Sequence, residues 1–245
     1  MPFDFGDALP KLILAHAIGD FPLQTNMIFH YKVSRPWGVV LHVSIIGICS
    51  AAMLLPYLHD GRVVGLLAVF LLTHLFQDKL KIEKQRDESR NNMWSFLSDQ
   101  FLHMFFIVLM SLAMKNTQVA MTWPWAMPVW VDEAYRNDRL LWMVTWYTFG
   151  TFGGHILLGY LRKTFSQEHE FVLDGLGQKW AGFLERAGIA TGLWMSLQYH
   201  PMYLFIAVVA VLPRLMLSWK HRMTFQDLGF SAGVGVVTGL LCYLS

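Results

Sequence analysis

Charge is scarce in this chain. Asp, Glu, Lys and Arg make up 15% of its 245 residues, where a soluble domain carries about a quarter. No stretch long enough for a soluble domain stands out from that background. The net charge of +2 is dispersed and gives no basic face for nucleic acid. Cysteine is nearly absent: Cys49 and Cys242 both sit in apolar runs, which excludes a disulfide framework and reads as two buried, unpaired thiols. The N-terminus is acidic ahead of Lys11, so the basic start of a cleavable secretory signal is missing. Phosphate-binding loops, nucleophile elbows and haem-attachment motifs are missing too, which excludes only the families that use them.

What remains is apolar and aromatic. Hydrophobic residues make up 55% of the chain, with ten Trp and eighteen Phe, and the mean hydropathy is +0.40. A bilayer crossing needs about 20 mostly apolar residues. Eight segments approach that length, near 8–29, 37–58, 62–82, 95–115, 139–162, 179–197, 200–218 and 227–244. The expected fold is therefore all-α: a polytopic transmembrane helix bundle of about eight spans, or seven if the first does not cross. The whole of 1–245 reads as one membrane domain, with a four-helix polar core over 1–115 and C-terminal transmembrane helices over 139–245. The first segment is the least regular. Gly19 and Pro22 interrupt it, and Pro22, lacking an N–H, should kink or end the helix there. It is either a full span or a broken helix that enters and leaves the bilayer.

Lys and Arg orient the bundle. With the N-terminus outside and each segment crossing once, the inner loops hold Lys32, Arg35, Lys79, Lys81, Lys84, Arg86, Arg90, Arg162, Lys163, Lys179, Lys220 and Arg222. Lys11, Arg62, Lys115, Arg136 and Arg139 stay outside, while Arg186 and Arg214 fall within helices. That asymmetry is the positive-inside pattern of a multi-pass protein of a bacterial cytoplasmic membrane. Lys81–Asn92 is a mixed-charge solvated linker on the inner side. The aromatic and proline-rich loop Thr122–Trp130 lies along the outer interface as an anchor.

Once oriented, the polar residues gather at one depth. The first span carries His16, Asp20 and Gln24 toward its inner end, the second His42, the third His74 and Asp78, and the fourth Asp99, Gln100 and His103. His16/Asp20, His74/Asp78 and Asp99/His103 are each four residues apart. On a helix this places both side chains on one face, about 6 Å apart along the axis, a spacing from which one helix can grip a cation. The expected metal ligands are His16, Asp20, His42, His74, Asp78, Asp99 and His103. Zinc, manganese and iron all accept this mixture of nitrogen and oxygen. Each residue alone has a plainer reading, as an interfacial His or a helix-capping or Lys-paired Asp; seven together, in a bilayer where ionisable groups are costly, point to function. His30, His59, His155, His169, His200 and His221 carry weaker signals, and only His155 lies well within a span.

Farther along, Glu185 and Arg186 fall in the inner half of the sixth span. Arg186 either pairs with a carboxylate of the constellation or holds a substrate phosphate in its planar fork. Arg214 follows Pro213 at an inner helix end and is expected to snorkel to water. A duplication is also hinted: His16-x-x-x-Asp20 precedes His42 as His74-x-x-x-Asp78 precedes Asp99 and His103, at an offset of about 58 residues.

His16-Ala-Ile-Gly-Asp-Phe-Pro-Leu-Gln24, His74-x-x-x-Asp78-Lys79 and Asp99-Gln100-x-x-His103 together resemble a bacterial membrane-protein family catalogued as domain of unknown function 3307. The resemblance is specific over roughly the first 110 residues. The Glu185-Arg186 element extends a looser likeness to most of the chain, and the sequence departs from the pattern after Pro213. The family implies no activity; it implies that the polar residues act as a set.

Three functions fit. One is an intramembrane metal-dependent hydrolase or transferase for a lipid-type phosphate or ester at the cytoplasmic leaflet, with the His and Asp residues as ligands and bases, and Arg186, Glu185 and Lys79 as catalytic groups steadying substrate charge. Another is a transporter or a proton or metal relay, although the outer halves of the spans hold few ionisable groups to continue a path. The third is a structural subunit among membrane protein partners, its polar residues serving as interhelical glue. The implied partners are the lipid bilayer and a lipid substrate.

Overall fold

The computed structural model describes residues 6–85, 92–165, 176–221 and 225–245. His169, Arg86, Arg90, Arg222 and half of the Lys81–Asn92 linker lie outside them, as does the side chain of His221. The described residues form helices joined by turns and loops, with no strand among them: α1 Ala8–Asp20, α2 Asn26–Ser34, α3 Gly38–Met53, α4 Gly61–Gln85, α5 Met93–Thr117, α6 Val129–Arg136, α7 Asp138–Thr148, α8 Gly154–Phe165, α9 Leu176–Gln198, α10 Leu204–His221 and α11 Phe225–Leu244. The chain forms two compact units, Met1–Leu141 and Trp142–Ser245.

In the first unit, α1 packs against α3 and α5, and α4 packs against the same two helices, closing a four-helix ring; α2 lies on α3. Local chemistry sets the breaks. α1 stops at Asp20, and Pro22 lies in the turn before Thr25, whose hydroxyl accepts from Ile28 N–H to start α2. Arg35 stands before Pro36 and is extended (φ −125°, ψ 137°), which ends α2. Asn92 caps α5 by accepting from Ser95 N–H at 3.0 Å, and Gln118, left-handed at φ 51°, closes its other end. The first apolar segment is thus a broken helix. At 13 residues α1 is about 20 Å long, short of the ~30 Å hydrocarbon core.

α4 and α5, with 25 residues each, are longer than that core. Their outer faces are apolar and exposed: Val69, Leu72, Phe76 and Leu80 on α4, and Leu97, Phe101, Phe105 and Leu109 on α5. Their buried faces carry His74, Asp78 and His103. An apolar exterior around buried ionisable groups is the arrangement lipid selects and water penalises.

The expectation of eight spans is corrected. Among the described residues three helices are long and apolar enough to cross a membrane, over Gly61–Lys84, Met93–Thr117 and Gln226–Leu244. Gly38–Met53 and Pro201–Met216 are apolar but shorter. The other segments fall short for visible reasons: α1 is cut by its break, α7 and α8 are separated by a π-helical turn over Phe149–Gly153, and α9 carries Glu185 and Arg186 at its middle.

In the second unit α9 packs against both α10 and α11. Gly188 and Gly192 of α9 meet Ala210 and Ala207 of α10, while Gly235 and Gly239 of α11 meet Ile189 and Ala190 of α9. Both pairs are Gly-x-x-x-Gly, the spacing that lets membrane helices approach backbone to backbone. Pro213 lies inside α10 rather than at a helix end, because the helix continues past the one hydrogen bond that proline cannot make.

Candidate functional site

Four imidazoles from four helices meet inside the ring. His16 (α1), His42 (α3), His74 (α4) and His103 (α5) are fully buried, with ring centroids 5.4 Å apart for His16–His74, 5.2 Å for His16–His103, 5.7 Å for His42–His74 and 4.2 Å for His74–His103. Every Nε2 faces a carboxylate. His16 stands 3.8 Å from Asp20, His42 3.2 Å from Asp20 and 3.6 Å from Asp78, His74 3.5 Å from Asp78, and His103 3.5 Å from Asp99 and 3.9 Å from Asp78. Every one of the seven residues expected as ligands is in this cluster.

One glycine brings the helices this close. A side chain on Gly19 would run into Ile46, whose Cα lies 3.3 Å from where the Cβ would be. Gly19 precedes Asp20, and Ile46 is one turn beyond His42, so the α1–α3 approach at Gly19 is what joins His42 to Asp20.

The surroundings supply two ammonium groups. Lys32 of α2 is buried, with Nζ 2.7 Å from Asp78 Oδ1 and 3.4 Å from Gln24 Oε1. Lys81 reaches Asp99 Oδ2 at 2.5 Å, and Gln100 donates to Asp20 Oδ2 at 2.9 Å. With neutral imidazoles, three carboxylates face two ammonium groups, which leaves one negative charge for a cation to balance. The four Nδ1 atoms make no hydrogen bond among the described residues, so the rings are held by packing. Asp20, His42 and His74, and separately His74, Asp78 and His103, offer ligand atoms within 4.8 Å of one another. Mixed nitrogen and oxygen donors at this spacing could hold a metal ion, and zinc, manganese and iron all accept such ligands.

Lys79 is exposed on α4 and does not join the cluster; Lys32 holds the position beside Asp78. Sequence reasoning counted Lys32 only as a loop charge. The signal available was its place between the two breaks that set α2 against α3. Glu185 and Arg186 belong to the second unit's own network. Arg186 donates to the Gly150 and Thr151 carbonyls, both at 2.8 Å, and to Ser231 Oγ at 3.1 Å. Those carbonyls lie in the π-helical turn, where the regular helical bonding is interrupted. Ser231 donates to Glu185 Oε2 at 2.7 Å, and Arg214 Nε lies 3.1 Å from the same oxygen. Arg214 therefore does not snorkel: it is buried, and Gly182 leaves room for its guanidinium.

Two smaller expectations also meet the structure. Cys242 is buried but Cys49 only half-buried, and both are free. In the Thr122–Trp130 loop and the start of α6, Trp125 and Trp130 are exposed while Trp123 donates to Asp132 at 2.7 Å. That bond and the Arg136 guanidinium, the larger influence, hold the Asp132 carboxyl below its ordinary value.

The family model described as Protein of unknown function (DUF3307) matches residues 8–129. That range contains all seven His and Asp residues and Lys32, and ends before Glu185 and Arg186. No curated protein and no solved structure matches the chain.

Proposed function

Taking as premise that residues 8–129 belong to the family of unknown function DUF3307, we propose that the first unit is a divalent-metal centre performing hydrolysis or group transfer on a lipid-type phosphate or ester. The observation that carries this reading is the convergence of four imidazoles and three carboxylates inside a ring whose exterior is apolar. Polar glue needs hydrogen-bonded pairs, and four imidazoles whose Nδ1 atoms bond to nothing are a poor glue.

A bound ion would polarise the phosphoryl or acyl oxygen and bring a water toward neutrality in pKa. A carboxylate not spent on the ion accepts the water's proton as its oxygen bonds to the reacting centre. The ester P–O or C–O bond breaks, and the proton passes to the leaving alkoxide. Lys32 steadies negative charge on the substrate, the role expected of Lys79. Glu185 and Arg186 serve the second unit's packing. Asp78 lies about 10 Å in from the end of α4, and His103 about 15 Å in from the start of α5, depths a headgroup reaches from one leaflet. The inner-loop excess of Lys and Arg favours the cytoplasmic leaflet of a bacterial membrane, with the N-terminus outside. A relay across the bilayer has less support, since buried Leu12 and Ala15 precede His16 on α1.

The test is elemental analysis of detergent-purified protein together with release of product from vesicles of phospholipid and isoprenoid phosphate. Bound zinc, manganese or iron, lowered together with activity in a folded Asp78→Asn variant, is expected. Failure to bind any of these ions after incubation would overturn the metal reading.

A further inference from the structure

The two hairpins of the first unit repeat more than one motif. His16-x-x-x-Asp20 on α1 recurs as His74-x-x-x-Asp78 on α4, 58 residues on. His42-x-x-x-Ile46-x-x-x-Ser50 on α3 recurs as His103-x-x-x-Ile107-x-x-x-Ser111 on α5, 61 residues on. All ten of these side chains are buried. The ring has the matching connectivity: α1 and α4 are opposite members, each flanked by both α3 and α5.

The contacts repeat with the sequence. His16–Asp20 at 3.8 Å corresponds to His74–Asp78 at 3.5 Å. His42–Asp20 at 3.2 Å corresponds to His103–Asp78 at 3.9 Å. Ring contacts across the halves correspond as well, His16–His103 at 5.2 Å with His42–His74 at 5.7 Å. His16 and His74, which are equivalent, meet each other at 5.4 Å, as residues beside a two-fold axis must. Asp99, Lys32 and Gln24 depart from the symmetry, and in the core the His74–His103 stack at 4.2 Å and the His42–Asp78 approach at 3.6 Å belong to one side of it, so the repeat is approximate.

Each half supplies two imidazoles and one carboxylate to the cluster, and the donor atoms that lie within 4.8 Å of one another form two sets, Asp20, His42 and His74 in one, His74, Asp78 and His103 in the other. Two His and one carboxylate make a complete facial set for one ion, with positions left open for water and substrate. Six such donors exceed what one tetrahedral ion takes. His74, near the axis, belongs to both sets, so the two positions adjoin. We propose that the site binds two divalent ions, one per half, side by side across the pseudo-two-fold axis. Resting on the metal reading above, this makes the substrate class one with a phosphoryl group, because paired ions about 3.5–4 Å apart clamp the attacking and leaving oxygens of an in-line displacement.

Apo-protein saturated with Mn²⁺ in detergent decides the question by metal-to-protein ratio and electron paramagnetic resonance. The expected result is two ions per chain and the spectrum of a spin-coupled pair. Asp20→Asn and Asp78→Asn should each lower the ratio to one and leave an uncoupled Mn²⁺ signal. Saturation at one uncoupled ion in wild type would overturn the two-ion inference while leaving a metal centre standing. Saturation at zero, with Zn²⁺ and Fe²⁺ also unbound, would remove both. The wild-type ratio is decisive by itself, so a variant that fails to fold does not shelter the proposal. With two ions bound, inorganic phosphate should perturb the coupled spectrum; a phosphate-insensitive pair would overturn the phosphoryl assignment.

Discussion

The two units bury ionisable groups equally deeply and use them in opposite ways. In the second, Arg186 spends its donors on two carbonyls and a serine, and Ser231 and Arg214 converge on one oxygen of Glu185. In the first, imidazoles crowd against carboxylates with their Nδ1 atoms unbonded and one negative charge in excess. Burial alone does not separate a site from a strut. The second unit sets guanidinium groups against a carboxylate, a serine and backbone carbonyls, whereas the first gathers imidazoles and carboxylates whose lone pairs a cation could share.

Substitutions should pull the units apart along this line. Glu185→Ala removes the carboxylate that two buried groups share, and should destabilise the protein by about 3–5 kcal/mol in detergent unfolding without changing metal content. Metal loss in that variant would break the comparison. His74→Ala should behave inversely. Beyond the packing cost of the vacated ring, which chelator leaves unchanged, the stabilisation from added metal, about 2.7 kcal/mol at a hundredfold excess over Kd, should vanish. Metal stabilisation that survives the loss of His74 would count the ring out as a ligand. Gly19→Ala presses a methyl against Ile46 and should cost about 1–3 kcal/mol and weaken metal binding with it. Gly19→Ala/Ile46→Ala should recover part of both, and additive losses in the double variant would mean the α1–α3 approach does not set the site.

The smallest effect lies outside both clusters. Arg62, by side-chain and then backbone hydrogen bonds, holds the Asp60 carboxyl at about 2. Its folded pKa is depressed, so the pair's contribution is fully present above the unfolded value of about 3.9 and is lost as pH falls toward 2. Asp60→Asn should therefore leave stability at neutral pH nearly unchanged and flatten its dependence below pH 4. An equally steep acid limb in the variant would assign that limb to other carboxylates.

Much of the fold was legible in the chain. Apolar length marked most of the helical regions, though not α6, and Pro22 marked a break that α1 obeys. Four-residue spacing placed His and Asp on common faces, because a helix turn is the same wherever it occurs. Span number was less legible, since hydropathy measures apolar residues but not the unbroken length that Pro22 and the π-helical turn interrupt. Lys32 was missed because a lysine near a helix break looks solvated until the fold packs α2 on α3. Arg186 was read toward the site because its true acceptors, the carbonyls of Gly150 and Thr151, are backbone groups that no residue type announces.

The sequence by itself determined that this is a helical chain with an apolar surface, and that His and Asp recur on four of its helices. Periodicity and composition are local properties and survive without tertiary contacts. Only the tertiary structure decided which of those side chains share a centre, that Lys32 rather than Lys79 stands beside it, and that Glu185 and Arg186 belong elsewhere. Each of those facts depends on distances of a few ångströms between helices, and these are set by close approaches such as Gly19 on Ile46 rather than by any residue alone.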